Sequence, residues 1–373
     1  MSNNTYIVIF PSLFAENKIT MLISNIKKIL KSQNQNFSKI SRDGNLILVD
    51  ANDPVFASSA IGLLFGIKEI IIAKQIKNDF KSVVDEITRT GSSLLLKGEK
   101  FYVSVEGIPK GYMTKDVELS ATSSLIEKNK IISAKPGTKE KHDKLLFTHI
   151  TKSNAYVSIF SDRGLGGAVN NSQEEIVVCG IFDEFSAIAC LETIKQGFQV
   201  KVVVFYKNRL ELMNLVKMLH RILPRTLVSK SQVEFYKADL GKNLNVKNLA
   251  LTKILTKIAV KEKISFVSLP ISPLIFSAEI IKKLKTYVFE LGLVPIVPLS
   301  GIDSGIFDNA KEIGLEKYIP KIEKFLRTKI KNGSNARILD KDLRKLVGDR
   351  KIVSVNLGPN MIHDILDSLE LKH

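Results

Sequence analysis

The sequence predicts an α+β front half followed by a doubly wound α/β half with a parallel sheet. Short strands and helices in mixed order fill residues 1–165, whereas buried strands and amphipathic helices alternate regularly from Glu174 onward. A turn-rich break at Gly164-Leu165-Gly166-Gly167 separates the two patterns and predicts a domain boundary.

The back half is organised around Glu174–Tyr206. This stretch predicts a strand ending at Cys179-Gly180, a helix that starts at Ser186 and closes at Gly197, and a second strand over Val200–Phe205. In a parallel sheet, the loop after the first strand faces the usual ligand site. The loop Cys179–Phe185 is therefore the first candidate for binding a phosphate.

The front half predicts two small domains. Residues 1–76 read as β-α-β-α-β, with strands at 4–10, 45–49 and 67–73 and helices at 16–31 and 56–64, an order typical of a ferredoxin-like domain. Residues 77–165 predict helices at 80–91 and 115–128, a strand at 101–105, a lysine-rich connection at 133–144, and strands at 145–150 and 155–160.

The back half continues the alternation. Helices are predicted at 210–222, 249–260, 274–291 and 306–313, and strands at 233–236, 264–269 and 294–297. Residues 331–373 are interpreted as an appended extension, with a helix at 338–347, a strand at 352–356 and a helix that begins near Pro359.

The charge balance leaves two interpretations open. The chain carries 55 lysines and arginines against 38 aspartates and glutamates, a net charge of +17. Residues 201–300 hold 17 basic and 6 acidic residues, whereas residues 151–200 are slightly acidic. This excess favours a polyanionic partner, but a lysine-rich solvated surface of the thermophile kind accounts for it equally well.

Composition excludes several other classes. Apolar runs are shorter than the roughly 20 residues of a membrane span, and no signal peptide is recognisable. Cys179 and Cys190 form no CxxC motif and are expected to be buried thiols in a reducing, cytoplasmic environment. His142 and His149 are isolated, so no metal site is predicted.

Residues 1–330 resemble the tRNA 4-thiouridine synthetases in their short form. The matching features are Phe65-Gly66-Ile67, the strand Phe101–Val105 with the helix entry Thr114–Glu127, the glycines at 164–167, and Pro295–Leu299 leading to Ala310–Gly314. The resemblance implies a ferredoxin-like domain (1–76), a THUMP RNA-binding domain (77–165) and a PP-loop ATP-pyrophosphatase domain (174–330). It also implies tRNA as partner, with Lys110, Lys115, Lys128 and Lys130 as candidate RNA contacts.

The family's phosphate loop, S-G-G-x-D-S, is degenerate here. The matching residues are Cys179, Gly180, Ile181, Phe182, Asp183 and Glu184, of which only Gly180 and Asp183 follow the pattern. A phosphate loop needs exposed N–H groups and uncharged hydroxyls, whereas Glu184 introduces a carboxylate and Ile181 a β-branched side chain. The family's T-G segment and thiol pair also lack counterparts, so the nucleotide site is expected to be non-functional and no cofactor is predicted.

Two other glycine-containing stretches are decoys. Ser300–Gly305 looks like a phosphate loop with one glycine missing, but it follows a late strand and favours a helix cap at Asp303 or Ser304. The glycines at 164–167 do not open a helix, which favours a linker.

Three functions remain open. The first is a tRNA-binding protein with a non-functional ATP site. The second is an active ATP-dependent tRNA sulfurtransferase, which the resemblance links also to thiamine biosynthesis, with Asp183 helping to hold magnesium. The third is an assembly role, as a homodimer or with a protein partner, in which Ile181, Phe182 and Phe185 form an apolar contact surface.

Overall fold

Two sheets organise the chain in the computed structural model, each within its own unit. The first unit comprises residues 1–62 and 66–166, and the second comprises residues 63–65 and 167–373. The structure describes residues 5–228, 230–239, 244–301, 305–327, 347–356 and 361–370. Among these, no helix has the length and apolar character required to span a bilayer.

The first unit holds an eight-stranded sheet in the order β2-β3-β1-β4-β8-β7-β5-β6. Its strands are β1 (Thr5–Pro11), β2 (Phe37–Asp43), β3 (Leu46–Ala51), β4 (Ile67–Lys77), β5 (Lys100–Gly107), β6 (Lys135–Pro136), β7 (Lys144–Ile150) and β8 (Asn154–Gly166). Its helices are α1 (Ile19–Ser32), α2 (Pro54–Ile61), α3 (Phe80–Leu94) and α4 (Thr114–Lys128). Only β5 pairs in parallel, with β6 and β7.

The two small domains predicted on either side of residue 76 share this single sheet. Strand β4 pairs with β1 along one edge and with β8 along the other, so the predicted boundary falls within a strand that joins both halves. The glycines Gly164 and Gly166 belong to β8 rather than to a flexible loop. Strand β2 was not predicted, because its residues are mostly polar and partly exposed and lack an apolar run.

Helix α1 shows why the sequence folds as it does. Its apolar residues recur at helical spacing and are buried, while Lys27, Lys28 and Lys31 face solvent. Helices α3 and α4 cover another part of the sheet through a core that includes Val83, Val117 and Leu125. Apolar burial of this kind contributes about 25 cal/mol per Å² of area removed from water.

Asp43, at the end of β2, ties the first hairpin to the β7–β8 hairpin. Its carboxylate accepts hydrogen bonds from the hydroxyls of Thr151 and Tyr156, both at 2.7 Å, and from the amide of Asn154 at 2.9 Å. Burial raises the pKa of Asp43, but the three donors outweigh this and hold the pKa below its ordinary value. The buried Tyr156 hydroxyl is thereby satisfied inside the apolar cluster that contains Val8, Leu48 and Ile71.

The second unit holds a six-stranded sheet in the order β13-β12-β9-β10-β11-β14. Its strands are β9 (Ile176–Ile181), β10 (Gln199–Tyr206), β11 (Lys230–Ala238), β12 (Phe266–Ser268), β13 (Val294–Ile296) and β14 (Val347–Asn356). Its helices are α5 (Glu184–Lys195), α6 (Arg209–Ile222), α7 (Leu244–Glu262), α8 (Ala278–Glu290), α9 (Gly305–Glu312), α10 (Ile319–Leu326) and α11 (Met361–Glu370). Strands β9 to β13 are mutually parallel, which confirms the predicted parallel sheet.

Residues 331–373, interpreted from the sequence as an extension, contribute β14 and α11 to this unit. Strand β14 pairs antiparallel with β11 and forms one edge of the sheet. The predicted strand at 352–356 lies within β14, whereas most of the helix predicted at 338–347 lies outside the described residues.

Residues 63–65 join the second unit through Arg225, whose side chain is 3% exposed. The guanidinium donates to the carbonyl of Leu63 at 3.1 Å, lies over the Phe65 ring and forms an ion pair with Glu312 at 3.0 Å. Asn170 accepts from the Phe65 N–H at 2.8 Å and donates to the Arg225 carbonyl at 2.7 Å. Leu63 and Phe65 are thus held within the second unit by Arg225 and Asn170.

A buried ion-pair network attaches β14 to the sheet. Glu234 on β11 is 1% exposed, and its carboxylate contacts both Lys201 and Arg350 at 2.9 Å. Burial raises the pKa of Glu234, but hydrogen bonds from Arg350, Lys201 and Tyr236 outweigh it and lower the pKa from 4.5 to about 2. The ionised form is therefore bound more strongly in the folded chain than in the unfolded chain.

We expect Glu234→Gln to lower the free energy of unfolding by about 2 kcal/mol at pH 7, because Arg350 loses its carboxylate partner and Lys201 keeps only Glu262. The folded-state pKa is depressed, so the carboxylate contributes its full stabilisation above pH 4.5 and loses it as the pH falls toward 2. Urea unfolding of the unmodified protein and the variant at pH 7 and pH 3.5 measures the difference in their free energies of unfolding, which we expect to be smaller at pH 3.5. The control is Glu262→Gln, since Glu262 contacts the same lysine from a more exposed position. If the difference in free energy between Glu234→Gln and the unmodified protein does not depend on pH, the depressed pKa of Glu234 is contradicted.

Candidate functional site at the start of helix α5

The degenerate loop lies at the carboxyl end of β9, in the middle of the sheet. Cys179 and Gly180 precede Ile181, the last residue of β9. Phe182 and Asp183 alone connect the strand to α5. The loop is therefore shorter than the predicted Cys179–Phe185, because both ends belong to regular structure. Its position matches the ligand site of parallel α/β sheets.

The two cysteines lie behind the loop and in contact with each other. Both are free and buried, Cys179 on β9 and Cys190 on α5. The hydrogen bond between the two side chains, together with burial, raises the pKa of Cys190 well above its ordinary value. Cys190 is therefore a neutral thiol in the packed layer between helix and sheet, and Cys179 does not line the cavity in front of the loop, which is described below.

Gly180 serves helix packing. A Cβ atom at this position would lie 2.9 Å from one δ-methyl of Leu255 on α7 and 3.2 Å from the other. Such distances are shorter than ordinary carbon–carbon contacts. Close packing against Leu255 thus accounts for a glycine at position 180 without any phosphate.

The N–H groups of the loop are already occupied. The Ser186 hydroxyl oxygen accepts from the N–H groups of Phe182 at 2.9 Å and Asp183 at 3.0 Å. The Ser186 N–H in turn donates to the Asp183 carboxylate at 2.9 Å, which completes a reciprocal cap on α5. A phosphate at this helix start would have to displace these side chains, because its usual donors are bound to them.

Glu184 is also engaged. Its two carboxylate oxygens contact the ammonium of Lys321 on α10 at 2.9 and 3.0 Å. Lys247 on α7 lies over the Phe182 ring, 4.4 Å from its centroid. Two of the cations nearest the loop are thus held by groups of the protein itself.

Asp183 is half-buried at the helix start. Burial raises the pKa of its carboxyl, and Lys247 and the hydrogen bonds from Ser186 only partly offset this effect. A carboxyl with a raised pKa that is already bound by Ser186 is poorly suited to be a magnesium ligand.

A cavity of about 650 Å³ nevertheless lies in front of the loop. Its lining combines aromatic and aliphatic side chains with three lysines and three carboxylates, namely Phe182, Asp183, Glu184, Phe185, Glu211, Asn214, Leu215, Met218, Lys247, Tyr318, Lys321, Ile322 and Lys324. Opposite charges balance across this lining. A polyphosphate would meet three acidic groups there, so the residues as arranged do not fit ATP with magnesium.

Two of the three side chains of the predicted apolar contact surface are buried. Ile181 is fully buried and Phe185 is 7% exposed, whereas Phe182 is partly exposed and lines the cavity. The predicted surface is therefore reduced to Phe182, and a protein partner stays a prediction. The other decoy, Asp303 and Ser304, lies outside the described residues, and the described part of the chain contains no group of three or more His, Cys, Asp or Glu arranged to hold a metal ion.

The four candidate RNA-binding lysines in the first unit are all exposed but lie at opposite ends of α4. Lys115 lies in its first turn and Lys128 at its end, about 20 Å apart at 1.5 Å per residue. Lys110 precedes the helix, in a loop held by Asn78, and Lys115 is paired with Glu118 at 2.9 Å. Lys130 follows Lys128, so the four residues form two groups and not one patch.

Lys128 and Lys130 lead into a lysine-rich margin of the sheet. The short strand β6 pairs Lys135 with Lys100, and a hydrogen-bonded turn between Thr138 and Lys141 follows it. We call this set the lysine edge; its exposed members are Lys100, Lys128, Lys130, Lys135, Lys139 and Lys141. The Tyr102 ring lies beside His142 in a tilted arrangement next to this edge, with 5.8 Å between the ring centroids.

Comparison with solved structures finds similarities that cover most of the chain, two of which are described here. PH1313 from Pyrococcus horikoshii has a TM-score of 0.62 and 17% identity, covering 83% of this chain and 100% of its own. A 4-thiouridine synthetase, solved as an RNA complex with bound ATP, has a TM-score of 0.61 and 16% identity, covering 94% of this chain and 99% of its own. The chain has the fold of a 4-thiouridine synthetase.

This similarity confirms, at the level of fold, the resemblance drawn from the sequence. No family model and no curated protein matches the chain in sequence. The RNA and the ATP belong to the neighbouring structure, and the identity is too low to carry them over residue by residue.

Sequence reasoning missed three residues that decide the site: Ser186, Lys247 and Lys321. A signal existed for Ser186, because Asp183 followed three positions later by a hydroxyl residue is a capping pattern. No local signal existed for Lys321, which lies 137 residues from Glu184.

We expect Ser186→Ala to lower the free energy of unfolding by about 1–2 kcal/mol, because two loop N–H groups lose their acceptor. Amide exchange at Phe182 and Asp183, followed by NMR or mass spectrometry, should accelerate in the variant. The matched control is Ser277→Ala at the start of α8, whose capping hydrogen bond is long at 3.5 Å. Unchanged exchange at both loop amides would show that the hydroxyl does not hold them.

Proposed function

We propose that this protein binds structured RNA, with transfer RNA as the first candidate, and that its loop at Cys179–Glu184 does not use ATP. The closure of that loop by Ser186 supports the second half of the proposal. The fold shared with a 4-thiouridine synthetase solved as an RNA complex supports the first. The net charge of +17 gives the electrostatic attraction that RNA binding requires.

The lysine edge is the surface we assign to RNA. It gathers six exposed lysines on neighbouring elements of one unit, whereas Lys110 and Lys115 lie at the other end of α4, with Lys115 neutralised by Glu118. Lysines act as point charges toward phosphate, so such a surface favours the backbone of an RNA over a particular base sequence.

We expect transfer RNA to be retained in filter binding at 50 mM salt and its affinity to fall about tenfold or more at 200 mM, because counterions are released on binding. Lys128→Glu with Lys130→Glu should weaken binding about tenfold and flatten the salt dependence. The matched control is Lys27→Glu with Lys28→Glu on α1, which changes the net charge equally at exposed positions outside the lysine edge. Equal losses of affinity in both double variants would show that only the net charge matters and not the lysine edge. If transfer RNA is not retained at low salt, the proposal of RNA binding is wrong.

A second candidate is an active ATP-dependent tRNA sulfurtransferase with a divergent loop. The observation that favours it is the 650 Å³ cavity, whose lining includes Lys247, Lys321 and Lys324. ATP binding would require the Glu184–Lys321 pair to open and the Asp183–Ser186 cap to break. A role in thiamine biosynthesis and a cytoplasmic location both remain predictions.

Calorimetry with ATP and magnesium separates the two candidates. We expect no binding at about 1 mM nucleotide, which corresponds to a binding free energy weaker than about −4 kcal/mol. The comparison variant is Glu184→Gln, which removes the carboxylate closest to the expected phosphate path and frees Lys321. Saturable binding by the unmodified protein would contradict the proposal that the loop does not use ATP and would favour the second candidate.

A further inference from the structure

A groove of about 540 Å³ runs along the outer face of α8 and shares no lining residue with the loop cavity. Its lining is Pro273, Phe276, Ala278, Ile281, Lys282, Lys285, Thr286 and Phe289. Helix α8 buries Leu284 and Val288 against the rest of the unit, so the groove residues lie on the face turned away from that core.

One large apolar side chain of the groove lining is strongly exposed. Phe289 is 57% exposed at the end of α8, whereas Phe276 is 3% exposed and belongs to the floor of the groove. The lining residues from Ala278 to Phe289 lie along about three turns of α8. A groove with an exposed aromatic side chain at its end offers a contact for an apolar anchor residue of a partner.

The charges restrict the occupant. Lys282 and Lys285 are the ionisable residues of the lining, and no carboxylate lines the groove. A second copy of the chain docking face to face would place four lysines in one interface, since such contacts are isologous. RNA would use the lysines but would gain little from the apolar floor formed by Phe276 and Ile281. The segment 328–346 of this chain is itself rich in lysine and arginine.

We propose that the α8 groove binds an amphipathic helix of a partner protein, with apolar residues on one face and acidic residues flanking them. The apolar face packs on Ile281 and Phe289, and the acidic residues pair with Lys282 and Lys285. This is the helix-in-groove mode of recognition, in which a few apolar anchors supply most of the affinity and the charges select the partner.

The test uses the full chain and a synthetic, fluorescein-labelled peptide of about 14 residues, long enough for three to four turns. One peptide carries leucine and phenylalanine on one helical face and glutamate on the other; its scrambled isomer has the same composition without an apolar face. Fluorescence anisotropy at about 150 mM salt, where long-range charge effects are screened, measures both affinities.

We expect the amphipathic peptide to bind about tenfold more tightly than its isomer. Phe289→Asp and the pair Lys282→Glu with Lys285→Glu should each weaken binding about tenfold, and circular dichroism checks that both variants are folded. The matched control is Lys217→Glu with Lys317→Glu, two exposed lysines of the same unit outside the groove, which should change affinity less than about twofold.

Three outcomes overturn the proposal. Equal binding of the two peptides would show that only charge is recognised. Loss of binding in the Lys217/Lys317 control equal to that in the groove variants would place the interaction elsewhere. Displacement of the peptide by a single-stranded RNA whose own affinity falls in Phe289→Asp would assign the groove to nucleic acid.

Discussion

The Ser186 hydroxyl is the acceptor on which the centre of the second unit depends. Every helix begins with N–H groups that lack an acceptor within the helix, and a buried N–H without a partner costs about 1–3 kcal/mol. In a phosphate-binding loop the ligand meets that need. Here the Ser186 hydroxyl accepts from the N–H groups of Phe182 and Asp183, and the Asp183 carboxylate accepts from the N–H of Ser186. The acceptors are thus supplied by the protein. The helix start is complete without a ligand.

Charged groups around the loop are likewise paired with other groups of the protein. Glu184 is held by Lys321, and Lys247 lies over Phe182. Three lysines and three carboxylates share one cavity lining, so the field inside it is far weaker than in a site built for a polyanion. Residues of α6, α7 and α10 form the cavity beside the capped start of α5. The presence of this cavity therefore does not by itself imply a site for phosphate.

Each sheet contains a carboxylate that ties distant segments together, half-buried Asp43 in the first unit and buried Glu234 in the second. Asp43 joins two hairpins of the first unit by accepting from three donors, and Glu234 anchors β14 in the second by meeting two cations. Removing one partner of such a group leaves a buried charge or donor unmatched, which is why these single positions are worth more than a surface pair.

The sequence by itself determined the order of elements, the fold class, and the failure of the phosphate-loop pattern at Ile181 and Glu184. These depend on local periodicity and on single side chains, which a sequence displays directly. Only the tertiary structure decided that one sheet runs through residues 5–166 and that residues 347–356 close the other sheet, because strand pairing joins segments far apart in the chain. It also decided the state of the loop. The sequence showed that the hydroxyls of the family pattern were missing, but Ser186 supplies one from inside the helix, and it binds the protein's own N–H groups where the family's loop would offer them to phosphate.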